Sequence, residues 1–136
     1  MDLLQAMEAA SEGMKAQGTR MKVISENMAN AETTGKNANE LPYQRQLVTF
    51  KNVLDRASRT RHVKVDEISK DKNDFILKYD PSHPAANAKG YVKMPNVNPL
   101  VEMMDMREAQ RSYEANLGVI EMTRDMLMRT IDMLRG

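Results

Sequence analysis

Residues 3–31 read LLQAMEAASEGMKAQGTRMKVISENMANA, and alternate steps of four and three through them land on Leu3, Met7, Ala10, Met14, Gln17, Met21, Ile24, Met28 and Ala31. Only Gln17 is polar. A repeat averaging 3.5 residues, sustained this long, is a coiled-coil signal, because it holds one narrow stripe of a helix against a partner. The other end of the chain answers it with Met103, Met106, Gln110, Tyr113, Leu117, Ile120, Arg124, Leu127, Ile131 and Leu134, interrupted only by Gln110 and Arg124. Matching stripes at the two ends predict that the termini pair and that the middle is displayed from them.

The boundaries of these helices can be read from their ends. The first is expected over about Asp2–Asn30, stopped by the cluster Asn27, Asn30, Glu32, Thr33, Thr34 and Gly35, whose residues favour caps and turns. Gly13 and Gly18 each weaken it by about 1 kcal/mol relative to Ala, so it needs a partner. The second begins with Asn98 as cap and Pro99 at the first helical position. Glu102 and Asp105 follow near the positive end of the dipole, and Arg129 and Arg135 sit at the other end. Gly118, inside it, is expected where helices approach closely. Gln17, Gln110 and Arg124 either set register and partner choice or mark places where the seam opens to solvent.

Between the helices the period changes. Tyr43–Phe50, His62–Ile68, Phe75–Tyr79 and Tyr91–Lys93 read as short strands. Turns are expected at Lys70–Asp74, Asn87–Gly90 and through Asp80, Pro81, Ser82, His83 and Pro84, where both prolines restrict the residue before them. The basic run Arg56, Arg59, Arg61, Lys64 reads as solvated surface, with docking to an acidic neighbour as the functional alternative. The expected class is α+β, with units 1–35 (helix and turn), 36–95 (β-rich middle) and 96–136 (helix).

Composition narrows the function. With 136 residues, two Phe, four Tyr and no Trp, the core is thin, and thirteen Met supply much of the apolar mass. A net charge of +1 gives no general attraction to nucleic acid or acidic membranes. No segment reads as a cleavable leader or a spanning helix. There is no cysteine, and His62 and His83 are separated by an expected strand, so no metal site is expected; Ser82 beside His83 lacks an orienting framework. No phosphate-cradling glycine pattern occurs. These absences point to no cofactor and no catalysis, leaving a structural or interaction protein.

Three stretches resemble a known family. Ser25-Glu-Asn-Met-Ala-Asn-Ala-Glu-Thr-Thr-Gly35 resembles the N-terminal signature of bacterial flagellar rod and hook proteins. Tyr79-Asp-Pro-Ser-His-Pro84, Gly90-Tyr-Val92 and Pro95-Asn-Val-Asn98 resemble the central segment of the FlgC-type proteins of the proximal rod. Glu102-Met-Met-Asp-Met106 and Arg111-Ser-Tyr-Glu-Ala-Asn116 resemble their C-terminal helix. One departure is Ser82, where glycine is usual, and residues 51–72 match no motif.

The resemblance implies a non-enzymatic subunit of the proximal rod, a tubular shaft that carries motor torque and encloses the export channel. Its paired terminal helices would form the inner wall, with the β-rich part outside. The implied partners are copies of itself and other rod proteins, with the MS ring and the base or export gate. It would reach the periplasm through the flagellar type III apparatus without a cleaved signal or membrane insertion. The expected assembly surface is Leu3, Met7, Met14, Met21, Ile24, Met28, Met103, Met106, Tyr113, Leu117, Ile120, Leu127, Ile131 and Leu134. Two motifs accompany it: the turn at Asn27, Asn30, Thr33, Thr34 and Gly35, and the C-terminal set Asn96, Asn98, Glu102, Arg111, Tyr113 and Asn116. A cytoplasmic coiled-coil adaptor or export chaperone is the competing expectation.

Overall fold

In a computed structural model, which describes residues 2–56 and 59–136, both helices start and stop on local chemistry. Met1 of the first unit, and Ala57 and Ser58 of the unmatched stretch, lie outside the described residues. Helix α1 spans Leu3–Ala29; the Gln5 side chain accepts from the Asp2 amide at 3.1 Å, and Asn30 closes the last turn by donating its amide nitrogen to Glu26 O at 2.9 Å. Helix α2 spans Pro99–Arg135, with the Asn98 side chain accepting from the Leu100 amide at 3.0 Å. The class is α+β: two long terminal helices flank a small β-rich middle.

The helices pack antiparallel. Asn27 meets Glu102, Arg20 meets Glu108, and Gly13 faces Asn116, so position falls along one helix as it rises along the other. The stripe that α2 turns inward is not quite the one expected. Met106, Tyr113, Ile120 and Leu127 are half-buried on it, but the alternate positions are Glu102, Ala109, Asn116 and Thr123, each one residue before the expected Met103, Gln110, Leu117 and Arg124. Glu102, Ala109 and Thr123 are buried, whereas the expected four are exposed. Small residues are among those the helices bury, Ala109 on α2 and Ala10 and Ala16 on α1. The glycine at the close approach is Gly13, where an added Cβ would lie 2.8 Å from Asn116 Nδ2; Gly118 has nothing within 4 Å.

Registering α1 against α2 in this way puts Leu3 opposite about residue 126, so roughly the last nine residues of α2, about 14 Å, run past the end of α1. No helix of the described residues is long and apolar enough to cross a membrane.

Strands β1 (Gln46–Leu54) and β2 (Arg61–Lys70) form an antiparallel hairpin from Gln46↔Lys70 to Leu54↔Arg61. A bulge leaves Asp66 unpaired on β2, where Lys51 Nζ reaches its carboxylate at 2.7 Å. The hairpin lies along α1: its base is tied to Asn27 through Gln46, and its far end brings Asp55 and His62 beside Glu8. The lengths agree, since nine strand residues span about 30 Å and the helix from Glu8 to Asn27 about 28 Å.

One expectation for the middle is corrected. Tyr43–Arg45 is not strand but a connector packed against both helices, and the strand runs on to Leu54. On β2, His62 is buried while Val63 is 38% exposed, and Glu8 and Glu12 of α1 lie near this end of the hairpin. A second small sheet pairs β3 (Ile76–Tyr79) with β4 (Tyr91–Met94), its Tyr79 and Tyr91 rings meeting edge to face at 5.3 Å. Gly90 enters β4 at φ +83°, with Tyr79 and Pro81 so close that a side chain would collide.

Candidate functional site

Where the helices converge with the hairpin, a carboxylate is fully buried. Glu102 has no exposed surface, and a buried charge persists only when paired and hydrogen-bonded. Its Oε1 accepts from Arg45 Nε and its Oε2 from Asn27 Nδ2 at 3.2 Å. Arg45 also reaches Asp71 at 3.5 Å and Asp105 at 3.3 Å, and Asp105 is shared with Arg20 at 3.7 Å. Burial works against the Arg45 charge, but the hydrogen bond and charge of Glu102, supported by Asp71 and Asp105, hold its pKa above the usual value.

Asn27, 1% exposed, saturates its amide. Nδ2 donates to Gln46 O at 2.9 Å as well as to Glu102, and Oδ1 accepts from the Gln46 amide and from Tyr43 Oη, both at 2.9 Å. Burial, then the charges of Glu26 and Glu102, push the Tyr43 pKa up, which keeps the phenol protonated as a donor. Asn96 locks the connector from the other side: Oδ1 accepts from the Arg45 amide at 2.8 Å, while Nδ2 donates to Asp71 O at 3.2 Å and Asn73 O at 3.0 Å. The junction thus joins the end of α1, the base of the hairpin, the 71–73 turn and the start of α2.

The expected motif residues separate by role here. Asn27, Asn96 and Glu102 lie in the junction; Asn98 caps α2. Asn30 caps α1 and accepts from Thr33 Oγ1 at 3.1 Å; Thr34 Oγ1 lies 3.4 Å from His83 Nε2. Gly35 is where an added Cβ would strike the Glu40 carbonyl. Asn116 sits against Gly13, Tyr113 is half-buried and Arg111 is exposed. Ser82 does not need to be glycine: its φ is not positive, and its hydroxyl donates to Asp80 at 2.7 Å, which lowers the Asp80 pKa. Tyr43, Arg45 and Asp71 carried no local signal in the sequence.

The second feature is an open helical face. Of the expected assembly residues, Ile24 is buried, Leu3, Met7, Met14, Met21, Met106, Tyr113, Ile120 and Leu127 are half-buried, and Met28, Met103, Leu117, Ile131 and Leu134 are exposed. Other exposed apolar residues of α2 lie on more than one face: Leu100, Met104, Val119, Met122, Met126, Met128 and Met133.

Residues 7–35 match the family model described as flagella basal body rod protein, and residues 88–133 the one described as flagellar basal body rod FlgEFG protein C-terminal. The chain is 50% identical over 134 residues to the flagellar basal-body rod protein FlgC of Agrobacterium fabrum, covering 98% of this chain and 96% of that one. It belongs to the FlgC family of flagellar basal-body rod proteins. Members from Bacillus subtilis and from an Escherichia coli strain are 37% and 36% identical, each over at least 96% of both chains. The FlgC family makes the chain a structural subunit of the basal-body rod, and the adaptor reading is not favoured. Its two family-model matches cover most of α1 and α2 and the motif residues on them.

Proposed function

We propose that this subunit acts in the proximal rod by non-enzymatic means, laying its paired helices into the wall of a tube that carries torque and encloses the export channel. Residues 1–35 and 96–136 make the wall, and residues 36–95 stand outside it. The partners are further copies and other rod proteins, with the MS ring and the export base at the lower end. The site of action is the periplasmic part of the basal body, reached through the flagellar export apparatus.

One observation carries this reading. Helix α2 keeps apolar residues on faces turned away from α1 and beyond its end, with Met122 62%, Met133 75% and Leu134 84% exposed. Such a surface gains about 25 cal/mol per Å² when covered by a neighbour, before ordering costs, and contacts that do not close on themselves build a helical assembly. The buried junction keeps the helix pair and the outer part at one angle.

The test uses charge where the lone subunit does not pack. Met133→Asp combined with Leu134→Asp leaves unfolding of the purified chain unchanged, because both side chains are exposed, yet abolishes motility and rods in isolated basal bodies. Normal basal bodies from that double variant would refute the assembly surface.

A further inference from the structure

His62 is 4% exposed on β2, against α1. Its Nε2 lies 2.9 Å from Thr60 Oγ1, while Nδ1 is buried with no hydrogen-bond partner among the described residues. A buried ring nitrogen without a protein partner forfeits the bond it would make in water, which leaves it open to a ligand. Around the ring stand two carboxylates from separate elements. A His62 ring nitrogen and oxygens of Glu8 on α1 and Asp55 just beyond β1 all lie within 4.8 Å of one another.

We propose that Glu8, Asp55 and His62 form a divalent transition-metal site, with Nδ1 as the nitrogen ligand, that staples the tip of the β1–β2 hairpin to α1. The donor set decides the class of ion. One imidazole nitrogen with two carboxylates suits zinc and its first-row neighbours, whereas calcium and magnesium prefer oxygen alone. Bonds of about 2.0–2.2 Å require the ligands to draw in by roughly 1 Å, which the exposed Glu8 side chain can supply. The Nε2 contact with Thr60 fits the same role, since a ligating histidine donates its other ring N–H to a neighbour that fixes its tautomer and orientation. The exposed Glu8 side would leave room for water to complete the coordination.

The site differs from the one that the two histidines argued against. His83 takes no part; the second and third ligands are carboxylates, Asp55 across the same hairpin and Glu8 from the distant helix α1. Mechanically, the hairpin is tied at its base by Asn27 and Gln46, and a metal at the tip would tie it some 28 Å further along α1. Two fastenings resist shear between hairpin and helix where one permits rotation. This inference is independent of where in the rod the subunit sits.

The experiment is calorimetric titration of zinc chloride into the full chain after chelator treatment, near neutral pH, with hydrogen exchange on the same samples. One zinc per chain is expected, with slower exchange at Leu54, Asp55 and His62 when it is bound. Glu8→Gln weakens binding by about tenfold or more, and His62→Ala removes it. Glu12→Gln and His83→Ala leave it intact. Glu8→Gln changes an exposed side chain, so its fold is kept and it carries the test even if His62→Ala disturbs packing. No binding to the wild type, equal binding by Glu8→Gln, or loss of binding in His83→Ala would each overturn the site.

Discussion

Glu102 is the residue on which most depends. It looks like one more acid at the head of a helix, where the dipole favours it, and that reading of its backbone position is correct as far as it goes. Its side chain instead turns inward to Arg45 and Asn27, away from water. The same divergence holds at Asn27, read as part of a helix stop; Asn30 performs that task, and Asn27 crosslinks the connector to α2. Both follow from one rule, that buried polar groups must be paired, whose partners lie 16 to 75 residues away in sequence. Arg45→Met therefore leaves Glu102 buried beside fewer partners and should cost about 3–5 kcal/mol in urea unfolding. Glu102→Gln, which removes the charge and keeps the shape, should cost less than Arg45→Met. Equal unfolding midpoints for Arg45→Met and wild type would show that the junction is not structural.

Among the elements, α2 is the instructive one. Its extent, cap and half of its stripe follow from the sequence, because Met106, Tyr113, Ile120 and Leu127 recur every seven residues. The other half misleads: Met103 and Leu117 are more apolar than Glu102 and Asn116, yet the latter face α1. Hydrophobic periodicity finds the face that wants covering, and α2 has apolar residues on more than one face. Glycines sort in the same way. Gly118→Ala meets nothing and should add about 0.5–1 kcal/mol of stability by helix propensity. Gly13→Leu must push Asn116 and the helix behind it aside and should cost about 1–3 kcal/mol, read from thermal or urea unfolding. If the two substitutions had the same sign, the close approach at Gly13 would be wrong.

For the whole molecule the governing fact is that α2 is longer than what covers it. The span around Ala109 is enclosed by α1, whereas the end carrying Met128, Ile131, Met133 and Leu134 is open. Amide exchange in the purified chain should therefore be slow around residues 106–120 and fast from about residue 128 onward. The open end should become protected in assembled rods; uniform protection of α2 in a proven monomer would contradict this. The α+β class, two long terminal helices, four strands and the cap at Asn98 were all legible in the residues, because each rests on local chemistry: heptad spacing, β-branched runs, a proline after an asparagine. The inward face of α2, the burial of His62, the Arg45–Glu102–Asn27 junction and the meeting of Glu8, Asp55 and His62 were not. Those depend on which surfaces the antiparallel register and the hairpin's path along α1 bring together. Contacts between residues far apart in the chain arise only when whole elements dock, and no periodicity within either element encodes them.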